Sequence, residues 1–94
     1  MATEIVQAHV LIKGRVQGVF YRMWVAKNAE ELSIKGWVKN KEDGQVEAVF
    51  VGTKSKVEKM IKECKKGPRL AEVDNVDVSW EKVSDQYSSF EILR

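Results

Sequence analysis

Nine consecutive residues, Gly14-Arg15-Val16-Gln17-Gly18-Val19-Phe20-Tyr21-Arg22, carry the arrangement in this sequence best suited to holding an anion. They follow an alternating, strand-like stretch from Val6 to Lys13 and lead into a helix-like stretch that reaches Leu32. Where a glycine-bearing turn meets a helix N-terminus, backbone N–H groups converge and the helix dipole adds partial positive charge. Arg22 falls in the first helical turn, where its planar fork can close over a phosphate. The turn has neither the G-x-x-x-x-G-K-[ST] nor the G-x-G-x-x-G spacing, so it is not a nucleotide loop of either kind. Two glycines alone also suit a plain strand-to-helix connection, and an arginine such as Arg22 is, alone, more often a surface cation than a phosphate clamp.

The elements around the turn decide what it meets. Val6, Ala8, Val10 and Ile12 share one strand face, with Gln7, His9 and Lys13 on the other. The spacing of Tyr21, Val25, Ala29 and Leu32 predicts a helix over about Phe20 to Leu32. A short strand from Ile34 to Asn40 follows, then a Lys41-Glu42-Asp43-Gly44 hairpin. The next strand alternates Val46, Ala48 and Phe50 against Glu47, Val49 and Val51. Thr53 or Ser55 is placed to cap a second helix. That helix aligns Val57, Met60, Ile61 and Cys64 on an apolar stripe, and Gly67-Pro68 stops it. A fourth strand sets Val76, Val78 and Trp80 against Asp77, Ser79 and Glu81. After a loop from Ser84 to Ser88, a short strand covers Phe90 to Leu93.

This order, β-α-β-β-α-β plus a short terminal strand, is that of the α+β, ferredoxin-like sandwich: an antiparallel sheet with two helices on one face. Its topology puts the third strand between the first two, which run parallel. The Gly14–Phe20 turn and Asn40 then open on the same sheet edge, two strand spacings or roughly 10 Å apart. Asn40 alone would read as a turn residue. Beside Arg22 it completes a minimal site for attack of water on a phosphoryl group: donors for the oxygens and a neutral amide to orient the water.

Composition narrows the remaining choices. The 94 residues suit one domain, 1–94, and the net charge of +2 is too small to imply nucleic acid. Hydrophobic residues at 44% and charged residues at 32% fit a soluble globular fold. One cysteine, Cys64, and one histidine, His9, leave no cysteine-based zinc site and no disulfide within the chain. Cys64 reads as a buried structural thiol, and His9, on the non-helical strand face, is expected to have no second His or adjacent carboxylate to activate it. Trp24, Trp37 and Trp80 read as core or sheet-face aromatics, with Trp37 a candidate to shield the site edge. The lysines of the second helix read as a solvated face. No apolar run approaches the ~20 residues of a membrane helix, and the N-terminus lacks a basic, apolar leader. A cytoplasmic location is expected.

Taken together, Gly14 to Arg22, Gly36-Trp37-Val38-Lys39-Asn40 and Glu42-Asp43-Gly44 resemble the acylphosphatase family. The resemblance extends to the Gly67-Pro68 break and the Phe90-Glu91-Ile92 strand. Two positions depart from it: Lys41, where many members carry a small hydroxyl residue, and Arg94, where an aromatic often ends the chain. The resemblance implies hydrolysis of acyl phosphates to a carboxylate and phosphate, with no metal, no cofactor and no covalent intermediate. It implies catalytic roles for Arg22, on the phosphate, and Asn40, on the attacking water. It further implies phosphate binding by Gly14, Arg15, Val16, Gln17, Gly18, Val19, Phe20 and Arg22, the loop amides acting with the guanidinium. The expected partner is a small acyl phosphate, met by a monomer without nucleic acid or membrane. An RNA-recognition module shares the element order, but the strand Gln45–Val51 lacks the aromatics that stack bases. A related domain used for regulation, or inside a larger maturation enzyme, is a further alternative.

Overall fold

The computed structural model of the chain describes residues 4–84 and 86–94. Its elements are β1 (Ile5–Arg15), α1 (Tyr21–Glu31), β2 (Lys35–Asn40), β3 (Val46–Thr53), α2 (Lys54–Lys66), β4 (Glu72–Glu81) and β5 (Phe90–Ile92). The sheet order is β4-β1-β3-β2-β5. β3 runs antiparallel to both β1 and β2, which therefore point the same way, and β5 lies parallel to β2. The architecture is the ferredoxin-like α+β sandwich.

Alternation drives the layering. Ala8, Val10 and Ile12 of β1 and Val46, Ala48 and Phe50 of β3 are wholly buried. They meet Tyr21, Val25 and Ala29 of α1 and Val57, Met60 and Cys64 of α2 in one core. Each large apolar side chain buried there contributes about 1.5–3 kcal/mol. The short β5 joins this core through Phe90, whose ring stacks on Phe50 at 5.8 Å.

The fourth strand begins at Glu72, earlier than its alternation indicates. Lys13 pairs with Asn75 but Gly14 pairs with Val73, so Asp74 is an extra residue in β4. That bulge turns Val73 and Val76, which have opposite parity, toward the same core. At Gly14, with φ 132, a Cβ would run into the Glu72 carbonyl oxygen, so only glycine fits where the two strands close on the bulge.

Of the two readings open for Trp80, core or sheet face, the structure gives the second: it lies near the end of β4, beside Ala8, and is 53% exposed. One expectation needs correction. Thr53 occupies the N-cap of α2 but makes no side-chain capping bond. The Lys54 N–H instead donates to the Glu4 carbonyl at 2.9 Å, so the entering β1 backbone replaces a cap. The expected Ser84–Ser88 loop includes residue 85, and the N-terminal segment includes residues 1–3; these lie outside the described residues.

Cys64 is fully buried, and burial pushes its thiol up to about 12. It is thus neither a nucleophile nor a metal ligand at neutral pH. Cys64→Ser is expected to retain full turnover and to lower the melting temperature by a few degrees at most. Inactivation of the wild type by a thiol-alkylating reagent, absent in the Ser variant, would contradict that placement.

Candidate active site

β1 ends at Arg15 and α1 begins at Tyr21, so residues 16–20 make the turn. Val16 and Val19 bury their side chains in the core, which anchors the turn by its two valines. Gly18, with φ 74, takes a left-handed conformation between them and its missing side chain leaves open space. The last residue before the helix, Phe20, is also left-handed (φ 63, ψ 23). α1 starts with no side-chain cap and no acidic residue in its first turn. Its leading N–H groups therefore keep their affinity for an anion.

Gln17 does something the sequence did not indicate. Its side-chain amide leaves the turn and donates to the Lys41 carbonyl at 2.7 Å and the Gln45 carbonyl at 2.9 Å. Those two carbonyls flank the β2–β3 hairpin, which Lys41 N–H closes by donating to Gln45. Asn40 is the last residue of β2, immediately before this hairpin. The glycine turn is thus tied directly to the segment that presents Asn40.

Arg22 is oriented by the C-terminal strand. Leu93 N–H donates to the Val38 carbonyl at 2.8 Å, continuing the parallel β2–β5 pairing. The Leu93 carbonyl accepts from Arg22 Nη1 at 2.9 Å. No ion pair engages Arg22 among the described residues. One edge of the guanidinium is held and the remaining donors stay free.

These pieces meet in one cavity of about 220 Å³ lined by Val16, Gly18, Phe20, Tyr21, Arg22, Met23 and Asn40. Of the eight positions expected to bind phosphate, Val16, Gly18, Phe20 and Arg22 line it directly. Gly14 and Arg15 are paired with β4, Gln17 reaches the hairpin and Val19 is turned to the core. Among the described residues, Asn40 Oδ1 is buried and has no hydrogen-bond partner. An unmet buried acceptor costs about 1–3 kcal/mol, and such groups recur where a ligand or water completes the site. Tyr21 lines the same cavity but donates its hydroxyl to the Cys64 carbonyl at 2.7 Å. Burial pushes its phenol well above its ordinary range, so it acts as a wall rather than as an acid or base.

Elsewhere the structure revises the sequence reading of His9. Its Nε2 lies 2.6 Å from Glu47 Oε2, brought across from β3, and Glu47 also meets Lys39 at 3.7 Å. This network lies on the sheet face away from the helices. Trp37 lies on that face too, beside Tyr87 and under the Lys39 ammonium. The β3 positions on this face are Glu47, Val49 and Val51, which offer no ring for base stacking.

Comparisons with known proteins show what the whole chain is similar to. The acylphosphatase family model matches residues 8–92. An acylphosphatase of Chloroflexus aurantiacus is 47% identical over 90 residues, spanning 96% of this chain and 98% of that protein. The structure of an acylphosphatase from Coxiella burnetii superposes with a TM-score of 0.91 at 40% identity, covering 95% of this chain and 93% of the other. That of the Bacillus subtilis acylphosphatase gives 0.91 at 29% identity, covering 95% and 99%. Matched by the family model over residues 8–92 and by relatives over almost their full length, the chain belongs to the acylphosphatase family.

Proposed function

We propose that residues 1–94 act as one acylphosphatase domain, which hydrolyses the carboxyl–phosphate bond of small acyl phosphates. The observation that carries this is the shared cavity of the glycine turn, Arg22 and Asn40. In this reading the phosphoryl oxygens sit among the N–H groups of Arg15 to Phe20 and the start of α1. Arg22 spans two of those oxygens and opposes the charge that builds in the transition state. Asn40, a neutral amide, holds a water in line with the bond that breaks. Water attacks phosphorus, the P–O bond to the acyl group breaks, and the electron pair leaves on the carboxylate.

The leaving group explains what the cavity lacks. A carboxylate with a pKa near about 4 departs without protonation, so no general acid is needed. The lining holds no Ser, Cys, His, Asp or Glu, which fits direct attack by water rather than a phosphoryl-enzyme. A phosphomonoester, whose alkoxide leaves poorly, is expected to be a poor substrate. The partner is a small anion, met by a monomer acting in the cytoplasm; no described helix is long and apolar enough to cross a membrane.

The test is release of phosphate from benzoyl phosphate, run in parallel after exhaustive dialysis against EDTA. Arg22 and the amides supply the charge that a metal would otherwise provide. Full activity after chelation is expected. Loss of activity, restored by Mg²⁺ or Zn²⁺, would contradict the mechanism.

A further inference from the structure

The rim of the cavity carries two large apolar side chains that the phosphate chemistry does not use. Phe20 is 71% exposed and Met23 is 63% exposed, and both line the cavity of Gly18, Arg22 and Asn40. Exposed apolar groups scattered singly need no explanation, but two gathered at the mouth of a polar site do. Phe20 is also left-handed, a conformation that bulky residues rarely adopt. Glycine would meet that backbone demand without strain. The turn therefore gains nothing from the ring, and the core gains little from a ring so exposed.

The cavity's 220 Å³ corresponds to roughly seven waters. That is room for a phosphoryl group, with the acyl group extending past the mouth. In-line displacement fixes the direction, since the acyl group leaves opposite the attacking water. Asn40 borders a second hollow with Lys39, Lys41, Glu42, Asp43 and Arg94, which contains no residue of the turn. Arg94 also borders a hollow with Arg22, Asn40 and Ile92, and neither of its hollows contains Phe20 or Met23. Phe20 and Met23 lie on the side of the phosphate turn and α1.

We propose that Phe20 and Met23 form an apolar platform for the acyl group. The enzyme then prefers acyl phosphates with an aromatic or bulky apolar acyl part over acetyl phosphate, and over those bearing a second carboxylate. This rests on the acylphosphatase reading above and assigns the part of the substrate that reading leaves open.

The test compares kcat/KM for benzoyl, acetyl and succinyl phosphate in the wild type, Phe20→Gly, Met23→Ala and Arg94→Gln. The readout is the benzoyl-to-acetyl ratio, in which any loss common to both substrates cancels. Phe20→Gly is expected to lower that ratio about three- to tenfold, the worth of one aromatic contact. Met23→Ala is expected to lower it about two- to fivefold, and it carries the test if the glycine variant fails to fold. A ratio unchanged or raised in these variants overturns the platform. So does a wild-type preference for succinyl over benzoyl phosphate that disappears in Arg94→Gln. Failure of the wild type to release phosphate from any of the three overturns the acylphosphatase reading itself, and the platform with it.

Discussion

Asn40→Ala is expected to lower kcat by on the order of 10²–10³ while the inhibition constant for inorganic phosphate stays within a few-fold of wild type. The expectation follows from where the amide stands. It ends β2, borders the cavity of the glycine turn and Arg22, and its Oδ1 has no partner among the described residues. It carries no charge, so it adds little to holding a dianion already met by a guanidinium and several N–H groups. Its contribution is orientation of the water, and loss of one such positioning group typically lowers the rate by that factor. Removing the amide also removes a buried unmet acceptor, so the variant should be no less stable than wild type. Retained turnover with weakened phosphate binding would make Asn40 a binding residue.

Arg22→Gln should damage binding and chemistry together. Charge-assisted hydrogen bonds contribute about 1.5–3 kcal/mol each. Losing two of them lowers kcat/KM by roughly 10²–10⁴. Because the guanidinium faces the phosphoryl group in both ground and transition states, KM should rise as kcat falls, and phosphate should become a far weaker competitive inhibitor. The variant also loses the bond to the Leu93 carbonyl. A neutral glutamine at this site can restore at most part of that contact, so a melting temperature lower by a few degrees is expected. Unchanged phosphate affinity in a folded variant would remove Arg22 from the clamp.

The core was legible because one sheet face is buried. A strand with one wet face must alternate, and Ala8, Val10 and Ile12 do so; the stripe of Val57, Met60, Ile61 and Cys64 follows from the helical repeat in the same way. The meeting of Arg22 with Asn40 was legible from topology, since parallel neighbours of a shared strand end on one edge. Long-range contacts were not. The bulge at Asp74 breaks the alternation that would mark the start of β4, and it exists only because β4 pairs with β1. Glu47 reaches His9 from the neighbouring strand, a partner set by pairing and not by sequence. Gln17 bonds two hairpin carbonyls, and Arg22 is steadied by the carbonyl of Leu93; a main-chain acceptor leaves no residue-type signal at all. The exposure of Phe20 left no signal either, since the helical stripe begins only at Tyr21.

Hydrolysis of benzoyl phosphate in water enriched in ¹⁸O tests the central claim most directly, with the label located in the products by mass spectrometry. Attack by an Asn40-held water on phosphorus predicts enzyme-dependent turnover with one labelled oxygen per phosphate formed and unlabelled benzoate. Label in the benzoate would place the attack at the carbonyl carbon and contradict the assignment of Arg22 and Asn40 around a reacting phosphoryl group.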